Sequence, residues 1–303
     1  MAEERDAADV FRLLSDESRL DILATIAREQ YEERQREVAA LSFSDIYERV
    51  AVDNTSKLSY HLGELTGVFL RKRGDDYAFT HAGEQLVRFV LAENYGSPAD
   101  PGTIETEGCC LYCGETSLRA KLNGQFFVVQ CSDCDRPVYY YRVRPAQVRT
   151  HDAPALIESV TREQAGDFLK VRGGVCPDCA AHLETTVVDT EDVPGADAVP
   201  VSFATVTECE ACLRSLSLPL PYAAAYHPAS IAFHWEHGVD LLGTGFWELH
   251  RYLHEGQWTA TRADDREAYR VELRVDDATL RLFLDESASV QRTERVRHRD
   301  HLK

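Results

Sequence analysis

Apolar residues between positions 54 and 65 recur with the period of a helix. In the segment NTSKLSYHLGEL, Leu58, Leu62 and Leu65 follow the i, i+4, i+7 spacing that places side chains on one buried face. The other positions predict an exposed face of small, polar or cationic side chains: Thr55, Ser56, Lys57, Ser59, Tyr60 and His61. Side chains of these types suit the base edges and phosphates of a DNA groove.

The patterns on both sides of this helix predict a small unit of helices and one β-hairpin. Upstream, DVFRLLSDESRLDILATIARE predicts two helices, and SFSDIYERV predicts a short helix that the turn AVDN joins to the helix above. Downstream, residues 68–73 and 77–80 have β character, with GDD between them where a hairpin turn belongs. Thr80 is placed to cap a closing helix. The order predicted is helices, helix-turn-helix, hairpin, helix.

Three segments carry a resemblance to a known family. LSDESRLDILATI, SFSDIYERVAVDNTSKLSYHLGELTG and DDYAFTHAGEQLV closely resemble the ArsR-like winged helix-turn-helix regulators common in archaea, over residues 8–92. The resemblance implies that the helix capped by Asn54 is the recognition helix, lying in the major groove of double-stranded DNA. It also implies that Arg71, Lys72 and Arg73 form a wing on flanking phosphate or minor groove, and that the protein is a homodimer.

The metal-sensing members of that family place cysteines near the second helix of the recognition motif. The cysteines of this chain all lie between residues 109 and 212, so that route to metal sensing is not inherited. Eight of the nine form CxxC pairs: Cys110 and Cys113, Cys131 and Cys134, Cys176 and Cys179, Cys209 and Cys212.

The CxxC pairs predict tetrahedral metal sites. Two residues between thiolates allow one tight turn to present both sulfurs to one ion, and two such turns complete a four-sulfur shell. Pairing along the chain gives C-x2-C-x17-C-x2-C, a zinc-ribbon spacing, followed by C-x2-C-x29-C-x2-C. We therefore predict two zinc sites with four cysteines each, while iron fits the same sulfur shell. A thiol oxidoreductase is the alternative, although its CxxC usually stands alone at a helix start.

The charge of the chain bears on the DNA-binding prediction. There are 51 acidic residues against 33 Lys plus Arg, only five of them Lys, and the formal net charge is −18. Diffuse acidity with few lysines is typical of proteins from concentrated salt, where the Debye length falls to roughly 3 Å and distant charges are screened. Residues 54–73 carry four cations and one carboxylate. Local charge is therefore compatible with a DNA partner.

The C-terminal third predicts a small α+β unit. HPASIAFHWEHG and VDLLGTGFWELHRYLHEG predict helices, and four alternating segments predict an antiparallel sheet: QWTATRA, EAYRVELRV, ATLRLFLDE and SVQRTERV. His250 and His254 stand four positions apart, and His234 and His237 three. Because no motif supplies a third ligand, we interpret these as surface or partly buried histidines rather than as metal ligands.

These patterns together predict an α+β protein with an ordered series of domains. The boundaries are a winged helix-turn-helix at 1–94, a linker at 95–108, zinc ribbons at 109–136 and 176–214, a strand and helix connector at 137–175, and an α+β unit at 215–303. This arrangement resembles regulators of halophilic archaea. The last unit is assigned to dimerisation, to a small effector or to a protein partner.

The predicted function is a sequence-specific transcriptional regulator that is not an enzyme. Neither a P-loop nor an H-E-x-x-H motif occurs, and a closed four-thiolate site has no open position for substrate. The N-terminus lacks the features of a signal peptide, and no apolar run approaches the ~20 residues that span a bilayer. The expected location is the cytoplasm, with no membrane partner. An adaptor whose ribbons bind another protein, with the winged helix as scaffold, is the alternative function.

Overall fold

The chain is a mixed α+β protein that divides into two compact units. The computed structural model describes residues 6–32, 40–193, 199–263 and 268–297. Met1–Ser97 form the N-terminal unit and Pro98–Lys303 the C-terminal unit. The ends of the first and last predicted domains, residues 1–5 and 298–303, lie outside the described residues.

The N-terminal unit contains helices around a small antiparallel sheet. In chain order its elements are α1 (Ala7–Leu13), α2 (Glu17–Glu32), β1 (Leu41–Ser42), α3 (Phe43–Tyr47), α4 (Thr55–Leu65), β2 (Leu70–Arg73), β3 (Asp76–Phe79) and α5 (His81–Leu91). The described strands lie in the order β1-β3-β2. The Asn54 side chain accepts a hydrogen bond from the Lys57 amide (2.9 Å), which caps α4, and Thr80 caps α5 in the same way. Leu58, Leu62 and Leu65 are completely buried in the core of this unit, as their spacing predicts.

Gly83 in α5 lies against the backbone at the start of β2. A Cβ built at Gly83 would stand 2.0 Å from the Phe69 carbonyl oxygen, whereas a Cβ at Gly63 in α4 meets nothing within 4 Å. We expect Gly83→Ala to destabilise the N-terminal unit by about 3 kcal/mol, because the clash is with backbone. Gly63→Ala is the matched control and should stabilise by about 0.5–1 kcal/mol through helix propensity. Hydrogen exchange of residues 81–91 measures both effects, and equal protection in the two variants would contradict the packing described here.

The C-terminal unit contains three antiparallel sheets among its described residues. The first has the order β4-β5-β6-β7, formed by Ile104–Thr106, Leu118–Asn123, Phe126–Cys131 and Pro137–Arg142. The helices α6 (Pro145–Thr150) and α7 (Ala153–Arg172) lead to the second sheet, β8-β9-β10, formed by Glu184–Asp189, Phe203–Cys209 and Arg214–Pro219. Helices α8 (Leu220–Ala225), α9 (Pro228–Glu236) and α10 (His250–His254) follow.

The third sheet, β11-β12-β13-β14, consists of the four segments whose alternation predicts strands. They are Trp258–Arg262, Tyr269–Val275, Ala278–Leu284 and Val290–Arg297. Of the segment VDLLGTGFWELHRYLHEG, only α10 is helical, since Gly243 and Gly245 stand in the turns that precede it. The helix predicted over the whole segment is therefore too long.

The predicted domain boundaries within the C-terminal unit differ from those observed. The predicted linker 95–108 contains β4, and the predicted boundary after residue 136 divides the first sheet, since β7 pairs with β6. The boundary after residue 214 divides β10 in the same way. One buried cluster includes residues from Cys110 to Leu284. The physical reason is that a ribbon of two strands buries little apolar surface, so its faces are completed by distant segments.

Within the described residues, none of the helices combines the length and the apolar composition that crossing a membrane requires.

Candidate metal centres and candidate nucleic-acid interface

The structure brings the first two CxxC pairs together. The Sγ atoms of Cys110, Cys113, Cys131 and Cys134 all lie within 4.8 Å of one another. The Cys110–Cys134 separation is 3.6 Å and the Cys113–Cys131 separation 3.7 Å. A disulfide has sulfurs about 2.05 Å apart, whereas a tetrahedral ion with Zn–S bonds of ~2.3 Å places them ~3.8 Å apart. The spacing therefore fits one ion inside four thiolates.

The second two pairs form an equivalent cluster. Cys176, Cys179, Cys209 and Cys212 also lie within 4.8 Å of one another, and the Cys176–Cys212 and Cys179–Cys209 separations are both 3.6 Å. These are the two groups of four that pairing along the chain predicts. Either group can hold a metal ion and has the donor set that zinc prefers in structural sites.

All four CxxC turns end in the same backbone conformation. The residue after the second cysteine has a positive φ in each turn: Gly114 (79°), Asp135 (57°), Ala180 (62°) and Leu213 (60°). This left-handed geometry costs roughly 1–2 kcal/mol for a residue other than glycine. In the first turn the Gly114 amide donates to the Cys110 carbonyl at 2.9 Å, and in the third the Ala180 amide donates to Cys176 at the same distance. The repeated conformation closes each turn so that both sulfurs point to one centre.

Thiols within each cluster differ in how readily they ionise: the pKa is raised for Cys110 and Cys212 and lowered for Cys134 and Cys176. Burial raises the pKa of the Cys110 thiol to about 12. Burial also opposes ionisation of Cys176, but backbone N–H donors of Cys179 and Asp178 and the neighbouring thiols outweigh it and lower its pKa to about 7. A metal ion binds the thiolate forms, so loading releases protons and weakens as the pH falls.

Cys109 is the cysteine outside the pairs. Its side chain is buried and does not belong to either group of four, although it is next to Cys110. Burial is the main cause that raises the pKa of the Cys109 thiol. These properties are those of a packed, unreactive thiol rather than a ligand.

Helix α4 presents most of the predicted DNA-binding face. Thr55, Ser56, Lys57, Ser59 and Tyr60 are exposed, and so is the capping residue Asn54. Lys57 Nζ lies 3.2 Å from the Asp53 carboxylate, an exposed ion pair that contributes little and is easily exchanged. These side chains form one polar surface beside the buried leucines.

His61 is an exception, and its placement on the exposed face is wrong. Its side chain is 2 % exposed, and Nδ1 lies 3.7 Å from the Asp16 carboxylate in the segment before α2. The physical reason is that His61 follows Leu58 by three positions and precedes Leu65 by four, which places it on the buried stripe. His61 is therefore a packing residue in this unit.

The basic residues of β2 are exposed in a hairpin. Arg71, Lys72 and Arg73 pair with β3 through their backbones, and all three residues are exposed. Arg71 Nε donates to the Phe79 carbonyl at 3.1 Å, and Lys72 Nζ lies 5.4 Å from the Tyr77 ring centroid. The hairpin therefore holds three cations on one short strand.

Two of the four histidines in the C-terminal third match the expected surface or partly buried position: His237 is half-buried and His254 is exposed. The other two do not. His234 and His250 are completely buried. His234 Nδ1 donates to the Ser230 carbonyl at 2.7 Å, and the ring stands against Trp258. Within the described residues, the groups able to hold a metal are the two cysteine clusters.

The structure also contains a cavity of about 230 Å³ that no sequence motif indicates. It lies in the C-terminal unit and includes Arg172, Thr205 and Tyr222 in its walls. Its lining comes from segments more than a hundred residues apart, and no local sequence pattern spans them. The one local feature in the sequence is the basic last turn of α7, which contains Lys170 and Arg172.

Comparison with known proteins finds a matching family model in each unit. Residues 7–90, which span α1 to most of α5, match a model described as domain of unknown function DUF7347. Residues 107–290, which hold all eight paired cysteines, match a model described as domain of unknown function DUF7351. No curated protein and no solved structure matches the chain. Since the second match covers more than half of its length, the chain belongs to the DUF7351 family.

Proposed function

We propose that the protein is a sequence-specific DNA-binding transcriptional regulator with a winged helix-turn-helix in its N-terminal unit and structural zinc in its cysteine clusters. The observation that carries the proposal is α4, a helix with three fully buried leucines and a continuous polar face. That helix follows α3 and precedes the β2–β3 hairpin, in the order that a winged helix-turn-helix requires. Residues on α4 would contact base edges, and the basic strand β2 would contact phosphate.

Local electrostatics support this role in spite of the net charge of −18. Glu64, the carboxylate within the α4 to β2 segment, lies 3.7 Å from the Arg19 guanidinium, which partly neutralises it. The cations of β2 remain exposed. At ~1 M salt the Debye length is roughly 3 Å, so acidic groups elsewhere repel DNA weakly while direct contacts persist.

Zinc with a structural role is the proposed content of the cysteine clusters. Four thiolates complete a tetrahedral shell and leave no position for substrate or water, which argues against catalysis. Iron would fit the same sulfur geometry, and elemental analysis of the purified chain separates the two metals. A thiol oxidoreductase would instead show CxxC pairs that cycle between thiol and disulfide without bound metal.

A homodimer is the proposed assembly. Large apolar side chains are exposed on the terminal helices of the N-terminal unit: Phe11 on α1, Phe89 and Leu91 on α5, with Tyr95 after it. The Phe89 and Tyr95 rings lie 6.1 Å apart. A second copy of the chain would cover these side chains and place two recognition helices on a site with two-fold symmetry.

The test of DNA binding is selection of duplexes from a random library by the full-length chain, at ~0.1 to 1 M KCl. We expect the triple variant Lys57→Ala, Tyr60→Ala, Arg71→Ala to bind the selected duplex at least ~100-fold more weakly, because base and phosphate contacts contribute about 1–3 kcal/mol each. The affinity is measured by fluorescence anisotropy with labelled duplex.

The control is the double variant Arg162→Ala, Arg262→Ala, outside the proposed DNA-binding and dimer surfaces. Both arginines are more than 60 % exposed and paired with a carboxylate, so this variant changes the net charge by the same two units as the triple variant. Its affinity should stay within about threefold of wild type. If both variants bind equally, or if no duplex is enriched at any salt concentration, the regulator is rejected and the zinc-ribbon adaptor becomes the better account.

A further inference from the structure

The cavity of about 230 Å³ in the C-terminal unit has walls from four separate elements. Phe168, Val171 and Arg172 come from the C-terminal end of α7, and Tyr222 comes from α8. The β13–β14 turn supplies residues 287–290. The fourth wall is one face of the second sheet. On that face Thr185 lies opposite Thr207, and Thr205 lies opposite Leu218.

Arg172 is the charged residue among those that line the cavity. Within the described residues it has no carboxylate at ion-pair distance, although neighbouring arginines do: Arg142 contacts Asp167 and Asp178, and Arg144 contacts Glu163. Arg172 is exposed to solvent; desolvation by its neighbours lowers the pKa of its guanidinium from the ordinary value, and it stays a cation at neutral pH. In a chain with 51 carboxylates, a cavity whose charged lining is a single unpaired cation favours an anion.

The hydroxyl groups of the cavity supply donors. Thr185 and Thr207 stand opposite each other on adjacent strands, and both line the cavity. Thr185 Oγ1 and Thr207 Oγ1 lie 3.0 Å apart and share one hydrogen between them, so the pair can still form a hydrogen bond to a ligand.

The remaining lining is mixed, with apolar side chains and hydroxyl groups in similar measure. Phe168, Val171, Leu218 and Val290 are among the apolar members, with the Tyr226 ring 4.8 Å from the Phe168 ring. A ligand that fits therefore combines a charged end with an apolar part that these side chains can cover. We propose that this cavity binds a small organic acid with one carboxylate, which pairs with Arg172, and a compact apolar body that packs on Phe168 and Leu218. This proposal goes beyond DNA binding and does not require it.

The wall formed by the β13–β14 turn is held in place by its own hydrogen bonds. The Asp285 carboxylate accepts bonds from the Ser287 and Ser289 amides (2.9 and 3.0 Å), from Ser287 Oγ and from Gln291 Nε2. The Val187 amide of β8 donates to the Glu286 carbonyl at 2.9 Å, which ties the turn to the second sheet. Asp285 is thus committed within the turn and does not neutralise Arg172. A preformed wall lowers the entropy that binding has to overcome.

The test uses saturation-transfer NMR on the full-length, metal-loaded chain. The probes are benzoate and phenylacetate, their neutral analogue benzamide, and benzylamine as a cation of the same size. We expect the two carboxylates to bind at least ~10-fold more tightly than benzamide, since a charge-assisted pair is worth about 1.4 kcal/mol or more. Benzylamine should bind least. Arg172→Gln should reduce carboxylate affinity to that of benzamide.

Two further variants separate the site from the fold. Arg162→Gln is the matched control, because Arg162 lies on the same helix, is 61 % exposed and pairs with Glu158; it should bind as wild type does. Ala223→Leu places a larger side chain in the cavity wall and should abolish binding of every probe, while the native tryptophan fluorescence verifies folding. The proposal is overturned if no carboxylate shows saturation transfer at ~10 mM, if benzamide binds as well as benzoate, or if Arg172→Gln or Ala223→Leu binds as wild type does.

Discussion

Replacing Cys131 with serine is expected to remove one of two metal ions from the chain and to disorder the first cysteine cluster. Cys131 ends β6, is completely buried and belongs to the main core of the C-terminal unit. Three thiolates and a hydroxyl hold zinc far more weakly than four thiolates, and structural zinc contributes ~10–16 kcal/mol of apparent binding free energy. That is comparable to the roughly 5–15 kcal/mol by which a domain is stable, so a partial loss is enough to open the site.

The measurement is metal per chain by elemental analysis, together with tryptophan fluorescence. All three tryptophans are in the C-terminal unit, and the Trp247 ring lies 5.6 Å from the ring of Phe127 on β6. We expect the metal content to fall from two ions to one, and the emission of Trp247 to shift to the red as water enters.

Cys109→Ser is the matched control for this experiment. It makes the same chemical change one residue from Cys110 of the first cluster, at a buried thiol outside both clusters. Its metal content should stay at two ions. The free energy of unfolding should fall by about 1 kcal/mol, because serine places a hydroxyl group in a buried position. Equal metal contents in the two variants would show that the cluster does not hold the ion.

Local patterns predicted the elements and the ligand groups well. The leucines of α4, the alternation in β11 to β14 and the two residues between paired cysteines are all signals within one helical turn, one strand or one tight turn. Such signals need no knowledge of distant residues. Pairing consecutive CxxC turns was predicted because it closes the shortest loops between them. The structure contains the same two groups of four cysteines.

Where prediction failed, a side-chain type or a distant contact decided the outcome. His61 has the correct helical position for burial, but its polarity suggested the exposed face. The left-handed backbone at Ala180 and Leu213 has no signal in the sequence, because neither residue is the glycine that usually marks it. The pairing of β7 with β6 and the cavity around Arg172 depend on segments that meet only in the folded chain.

Acid is expected to destabilise the C-terminal unit through two buried histidines. Burial lowers the pKa of His234 to about 4 and of His250 to about 3, and hydrogen bonds to the Ser230 and Cys109 backbones only partly oppose it. Their surroundings are aromatic: Tyr222 and Phe246 stand beside His250, and Trp258 beside His234. Both rings are therefore neutral in the folded chain at pH 7 and cannot take up a proton without leaving the core.

The sign of the pH dependence follows from where protons bind. A histidine in the unfolded chain titrates near ~6.5, so below that pH the unfolded state binds more protons than the folded state. Stability is complete above about pH 7 and falls as the pH drops through ~6.5 toward 4. Each histidine contributes ~1.4 kcal/mol per pH unit in that window, so the two together remove about 5 kcal/mol by pH 4.5.

His250→Phe isolates this effect from that of the many carboxylates. Phenylalanine fills a similar volume beside Tyr222 and Phe246 but cannot be protonated. Urea unfolding followed by tryptophan fluorescence at constant salt, from pH 8 to 4.5, gives the slope of unfolding free energy against pH for both chains. We expect the slope of the variant to be smaller by one proton, ~1.4 kcal/mol per pH unit between pH 6 and 4.5. If the unfolding free energies of the two chains change with pH in parallel, His250 takes up its proton in the folded chain as it does in the unfolded chain. That result would contradict the buried, neutral ring inferred from its surroundings.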